Sequence, residues 1–324
     1  MLDFLEDSAL TRTRRVLISG SIAYDTIMVF DGHFKDHILP ERTHMINVAF
    51  LTPRLKREFG GCASNIAYNL RALGGEAAIL ATVGHDGRAY VERLAGLGID
   101  MGATQLLDEH FTAQAFITTD LSDNQITAFH PGAMSFAHRS RVGDALPGCY
   151  GIVGPNGKDA MLEHAQGFAD AGVPFIFDPG QGLPMFDGAE LERLIEMATA
   201  VTVNDYEAAM LTEKTGLDEV ALAKRVAAMI VTRGGDGSVL YEGEARTEIP
   251  PVSIADAVDP TGCGDAFRGG LLYGLAEGWS WLRSARLGSV LGAIKIEHQG
   301  PQNHQLERAQ VAQRYEQTYG ESLW

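Results

Sequence analysis

The sequence predicts an α/β protein: a mostly parallel central sheet flanked by helices, with a small β-lid over one edge. From residue 75 onward, short apolar runs alternate with stretches of helical length, the pattern of βαβ units. Two β excursions separated by polar turns, near residues 26–57 and 111–130, break that alternation and supply the lid. A glycine-rich loop at Asp259–Gly270 runs directly into apolar residues at helical spacing.

In chain order, residues 1–14 are acidic, lack a long apolar run, and read as an extension ahead of one domain spanning 15–324. Val16–Gly20 is an apolar run ending in glycine, expected as a buried first strand. Asp25 follows it, where the end of a strand in an open α/β sheet meets a ligand; a turn-capping aspartate is the plainer alternative. Thr26–Phe30 and His44–Val48 are expected as lid strands, and Ala113–Thr119 with Gln125–Phe129 as a hairpin around the polar stretch 120–124. Phe59–Leu70 is a glycine-rich helix entry with Ile66, Ala67, Leu70 and Leu73 on one face. Strands are then expected at Ala77–Val83, Gly151–Val153, Val173–Phe177, Ala200–Val203 and Met229–Thr232. Helices are expected between them, at Arg88–Leu97, Lys158–Ala171, Gly188–Ala198, Tyr206–Thr212 and Glu219–Ala228. Gly237–Tyr241 and Arg246–Ile249 read as antiparallel additions, and helices at Trp281–Glu297 and Leu306–Tyr319 close the fold.

Composition narrows the function. With 26 Lys+Arg against 42 Asp+Glu the net charge is −16, which argues against a nucleic-acid partner, since that needs a basic face. No apolar run reaches the roughly 18 residues of a membrane span. Cys62, Cys149 and Cys263 have neither disulfide-framework nor zinc-finger spacing, so a reduced, cytoplasmic setting is expected. There is no P-loop, no dinucleotide fingerprint after the first strand, no Gly-x-Ser-x-Gly elbow and no His-Glu-x-x-His helix. His85, His130 and His298 show no metal-ligand spacing and read as structural.

Chemistry concentrates in Asp259-Pro260-Thr261-Gly262-Cys263-Gly264-Asp265-Ala266-Phe267. Pro260 stops the preceding segment, and Gly262 and Gly264 let backbone N–H groups approach a ligand closely. A helix starting there turns unpaired N–H groups and its positive dipole end to the loop, an anion site. Asp265 beside it suits a base; an N-capping aspartate is the bland alternative. Further polar residues stand at strand ends: Asp178, Asn204 with Glu207 three residues on, and Thr232-Arg233-Gly234. Each alone is commonly a cap, but several on one sheet edge point to a site.

Gly60-Gly61-Cys62-Ala63-Ser64-Asn65 and the Asp259–Phe267 stretch resemble the two signatures of the ribokinase-like carbohydrate and nucleoside kinases, the PfkB family. Gly20 to Asp25, Asn204-x-x-Glu207 and Thr232-Arg233-Gly234 stand in the corresponding order, and the resemblance runs from about Val16 to Gln302. It implies ATP-dependent phosphorylation of a hydroxymethyl group, with Asp265 as base and the Gly262, Cys263, Gly264 and Asp265 amides as anion hole. Asp25, Gly61 and Asn65 would bind ribose hydroxyls. Asn204 and Glu207 would organise phosphate and the water shell of Mg2+, and Thr232 and Gly234 would line the ATP pocket. Arg233 and Arg268 are candidate phosphate clamps, with a surface salt bridge the alternative for Arg268. A monovalent cation such as K+ would sit near Asp259, Thr261 and Gly300, although His298–Gln302 follows the family pattern only loosely.

The acceptor is read from the lid. Gln114, Phe116 and Phe129 offer polar and aromatic surface on which a nucleobase stacks, whereas a bare sugar asks for polar groups alone. With Phe177–Pro184 and the Asp259 stretch, the chain looks most like prokaryotic nucleoside kinases with adenosine kinase activity. A ribokinase- or fructokinase-type sugar kinase is the alternative, and a catalytically silent sugar or nucleotide sensor a third reading. Monomer and homodimer both fit, since a lid of this family serves as a flap or as a dimer interface.

Overall fold

The computed structural model describes residues 15–38, 47–122, 124–143 and 149–324; the expected extension and most of the His44–Val48 strand lie outside these residues. The chain begins with strands β1 (Val16–Ser19), β2 (Ala23–Val29) and β3 (Arg54–Gly60), then helix α1 (Cys62–Ala72). Strand β4 (Ala77–Gly84), helix α2 (Arg88–Gly96) and strands β5 (Thr104–Leu107), β6 (Ala113–Thr119), β7 (Gln125–His130) and β8 (Tyr150–Val153) follow. The regular part runs α3 (Lys158–Asp170), β9 (Phe175–Phe177), α4 (Gly188–Met197), β10 (Ala200–Asn204), α5 (Asp205–Thr215), α6 (Glu219–Ala223) and β11 (Ala228–Thr232). Strands β12 (Ser238–Glu242) and β13 (Ala245–Ile249) and helices α7 (Cys263–Ala276), α8 (Trp281–Ile296) and α9 (Arg308–Tyr319) complete it.

Nine strands form one sheet in the order β13-β12-β11-β10-β9-β8-β1-β4-β5, parallel except for the antiparallel β12 and β13. The four residues of β1 are buried because helices cover both sheet faces. Val16 and Ile18 join the core under α1, α7 and α8, while Leu17 joins the core under α3, α4 and α5. Strand order reverses at β1, flanked by β8 on one side and β4 on the other. A crevice beyond the strand ends forms at such a switch point. Helix α7 is buried from Ala266 to Ala276 and its N-terminus opens toward that crevice. Among the described residues no helix is long and apolar enough to cross a membrane.

A second sheet, β3-β2-β6-β7, stands at the crevice edge. Its boundaries differ from the expected lid. The partner of β2 is β3, for which the sequence predicts no strand, whereas Asn47 and Val48 are not in a strand. Arg54, Leu55, Lys56 and Arg57 are all exposed on this edge strand, so no apolar alternation marks it. The edge strand β5 is four residues long, too short to show a period. The expected helix 219–228 ends at Ala223, because Ala228 already pairs with Ala200 as the first residue of β11.

Candidate active site

The tip of α7 is built by its loop. Gly262 caps it at φ +79°, a left-handed backbone where a Cβ would lie 2.7 Å from the Pro301 Cβ. Cys263 N–H donates to the Pro260 carbonyl at 3.1 Å, closing the turn. This corrects the expected anion hole: the Cys263 amide is occupied, and the amides without an acceptor among the described residues are those of Gly262, Gly264 and Asp265. The next amide, Ala266, starts the helical ladder on the Gly262 carbonyl.

Asp265 is held from one side. Asn65, in the first turn of α1, donates Nδ2 to Asp265 Oδ2 at 2.8 Å. Its own Oδ1 accepts from Gln302 Nε2 at 2.8 Å, and the same Gln302 nitrogen donates to the Tyr90 hydroxyl at 2.6 Å. Arg93 Nη1 in turn donates to Gln302 Oε1 at 2.6 Å. Gln302, Tyr90 and Arg93 went unmarked in the sequence, since nothing local says that residue 302 returns to α1. Burial lifts the Asp265 carboxyl to about 6; Asn65 and Arg268 oppose the rise, and Asp178 and Asp25 add to it. The carboxylate is enclosed although the residue keeps some accessible surface through the crevice.

Arg268 lies one turn further along α7. It pairs with Asp178 through two parallel contacts, Nη2 to Oδ1 at 2.9 Å and Nε to Oδ2 at 2.7 Å. Both side chains are buried, so Arg268 is neither a surface salt bridge nor a free clamp. Its third nitrogen, Nη1, lies 2.8 Å from where a Cβ on Gly264 would stand, placing positive charge under the helix tip. Burial pushes the Cys62 thiol up to about 12 and the Cys263 thiol up to about 11, so neither is a nucleophile.

The second sheet presents Asp25. Register places Asp25 opposite Glu58 on β3 and Ala115 on β6, and Ala115 opposite Phe129 on β7. These four residues therefore form one row on one face. Phe116 pairs with Thr26 and Gln114 with Tyr24, one residue out of step, so both occupy the opposite face. Gln114 donates there to the Thr26 hydroxyl. Of the three expected base-contacting residues, only Phe129 shares the face of Asp25, and it is 53% exposed. Asp25 is lifted to about 6 by burial, then by Glu58 and Asp259. Gly61 turns the chain from β3 into α1 at φ +92°, and a Cβ there would meet the Ala23 nitrogen and Ser21 carbonyl oxygen at 2.6 Å.

On the far side of the tip lies a cleft of about 430 Å³, walled by Thr232, Gly234, Gly264, Val252, Ile254 and Ala293 among others. Val252, Ile254 and Ala293 carry no chemical signal in the sequence. Asn204 and Glu207 form a reciprocal cap on α5: Asn204 Oδ1 accepts from Glu207 N–H at 2.7 Å, and Glu207 Oε2 from Asn204 N–H at 2.8 Å. Burial, with Asp178 nearby, holds the Glu207 carboxyl above its usual range. Neither residue walls the cleft, nor does Arg233, whose guanidinium pairs with Glu248; this corrects its reading as a phosphate clamp.

Of the expected cation residues, Asp259 has its oxygens engaged, and Thr261 and Gly300 turn their N–H groups to it. Asp259 Oδ1 accepts from Thr261 N–H at 2.8 Å, and Oδ2 from Gly300 N–H at 2.8 Å and Gln299 Nε2 at 3.0 Å. The Asp259 carbonyl accepts from Lys295 Nζ at 2.7 Å. The Asp259 oxygens, which face three N–H groups and an ammonium, are poorly disposed to ligate a further monovalent cation. No group of three or more His, Cys, Asp and Glu among the described residues could hold a metal by itself.

A model of the pfkB family of carbohydrate kinases matches residues 24–308. The chain belongs to the pfkB family. It is therefore a phosphotransferase of the carbohydrate and nucleoside kinase type. Within the pfkB family it is 28% identical over 317 residues to a nucleoside kinase of Methanothermobacter thermautotrophicus, across 96% of this chain and 98% of that one. A nucleoside kinase of Methanocaldococcus jannaschii is 28% identical over 282 residues, covering 83% and 89%. The solved Burkholderia thailandensis nucleoside kinase in complex with inosine superposes with a TM-score of 0.86 at 50% identity, covering 95% of this chain and 99% of that one. An Arabidopsis thaliana ribokinase complexed with ribose and ATP shares the fold, at TM-score 0.74 and 18% identity.

Proposed function

We propose that this protein transfers the γ-phosphoryl group of ATP to the 5′-hydroxyl of ribonucleosides, with adenosine favoured. The observation that carries the reading is Asp265, lifted to about 6 and gripped by Asn65, at a helix tip with three open amides. Asp265 takes the proton of the 5′-hydroxyl as its oxygen bonds to the γ-phosphorus, and the bond to the bridging oxygen breaks to release ADP. The Gly262, Gly264 and Asp265 amides, with Arg268 beneath, neutralise charge on the migrating group. Asp25, Gly61 and Asn65 hold the ribose hydroxyls, and Phe129 stacks on the base.

ATP fits the cleft at Thr232 and Gly234, whose far end reaches Gly264 at the helix tip. Mg2+ keeps several waters when it binds substrate phosphates, and Glu207 would hold it through one of those waters, since both Asp178 oxygens are taken by Arg268. When bound, Mg2+ would neutralise the phosphates. The kinship with nucleoside kinases, one of them solved in complex with inosine, supports a nucleoside over a bare sugar. The second sheet acts as the lid in this reading, and the domain begins at residue 15. Incubation with ATP, Mg2+ and a panel of nucleosides and sugars, read by phosphorus NMR, tests it. Nucleoside 5′-monophosphate is the expected product, and phosphorylation of sugars alone would replace this reading with a sugar kinase.

A further inference from the structure

Lys295, near the end of α8, is 0% exposed, a rarity for a lysine outside an ion pair. Its Nζ donates to the Asp259 carbonyl at 2.7 Å and to the His298 carbonyl at 3.0 Å, and so ties the loop before α7 to the loop after α8. The phosphoryl-transfer chemistry uses neither carbonyl. The charge nevertheless lies next to the helix tip, because Asp259 opens the loop that Gly262 closes and Asp259 itself orients the Thr261 and Gly300 amides.

A carbonyl oxygen ligates a monovalent cation or accepts from an ammonium with the same lone pairs, and the two are similar in size. The Asp259 carboxylate accepts from the Thr261, Gln299 and Gly300 N–H groups, which take three of its roughly four acceptor sites. Facing this cluster, His304 bonds Asn69 through Nε2 while its Nδ1 is buried without a partner among the described residues. Its ring is held down to about 4 by burial, then by Lys295 and His298, so it stays neutral and adds no competing charge.

We propose that the Lys295 ammonium occupies the place of a monovalent cation beside the anion hole, so that this chain transfers phosphate without potassium or any other monovalent metal ion. The proposal rests on the kinase reading above only for its activity arm.

The test measures nucleoside phosphorylation and thermal melting of the whole chain in potassium, sodium, caesium and choline chloride at one ionic strength, about 0.1 M. Turnover within about twofold across the four salts is expected, with no melting shift particular to potassium. Activation of about tenfold or more by potassium over choline, or a potassium-specific rise in melting temperature, would overturn the proposal. So would a thallium site beside Asp259 in a soaked crystal. Lys295→Met should lose about tenfold or more in turnover in choline and regain part of it in potassium; a variant as active as the parent in choline counts against the idea. The melting and thallium measurements need neither activity nor a folded variant. A chain that phosphorylates nothing in any salt therefore defeats the kinase reading alone.

Discussion

Replacing Asp265 by Asn separates its charge from its shape. Asn65 Nδ2 now donates to Asp265 Oδ2 at 2.8 Å, and an amide oxygen at the same position accepts that bond equally well. Nucleoside and ATP affinities should therefore change little, while the proton of the attacking hydroxyl loses its acceptor. General-base catalysis contributes about 10²–10⁴-fold, or about 2.7–5.5 kcal/mol at 1.36 kcal/mol per decade. The pH profile gives an independent number. With the carboxyl at about 6, roughly 99% is ionised at pH 8 and roughly 9% at pH 5. The kcat/KM for nucleoside should thus fall about tenfold between these values in the parent, and stay flat in the variant apart from Asp25. Stability moves the other way. A carboxyl raised in the folded state binds protons before the unfolded chain does, so the ligand-free protein gains stability as pH falls from 7 toward 5. Asp265→Asn should remove its share of that gain and leave the share of Asp25, also at about 6. A variant retaining more than about a tenth of parental turnover would refute the base assignment.

Three further outcomes follow from the same geometry. Phe129→Ala should raise KM for nucleosides by the equivalent of about 1–3 kcal/mol of lost stacking, while Phe116→Ala, on the opposite sheet face, should leave it unchanged in the same assay. Arg268→Met strands the buried Asp178 carboxylate and should cost about 3–5 kcal/mol in urea unfolding; adding Asp178→Leu should recover much of it, and a loss that the double variant does not relieve contradicts the pair. Gln302→Leu frees the Asn65 amide to rotate and should lower kcat more than it raises KM; an effect confined to KM would mean that Gln302 only binds substrate.

Strand and helix identity came through wherever burial is one-sided or complete. The runs at Val16, Ala77, Phe175, Ala200 and Ala228 are apolar because both sheet faces are covered, and Gly262, at positive φ against Pro301, marks the helix tip. Edge strands β3 and β5 left no such trace, since the first half of β3 is exposed and needs no period and β5 is only four residues long. Which residues cooperate is a different matter. Gln302 reaches Asn65 across 237 positions of sequence, Arg268 reaches Asp178 across 90, and neither pairing has a local signature. The same limit applies to the lid: alternation announced the hairpin, but only the pairing of β2 with β6 and of β6 with β7 set Phe129 on the face of Asp25 and turned Gln114 and Phe116 away. Sequence alone determined the architecture, the glycine-lined helix tip and the acid beside it, because those are local backbone properties. Tertiary structure alone decided the partner of each charge and the face of each lid residue, because register and burial are set by contacts between distant segments.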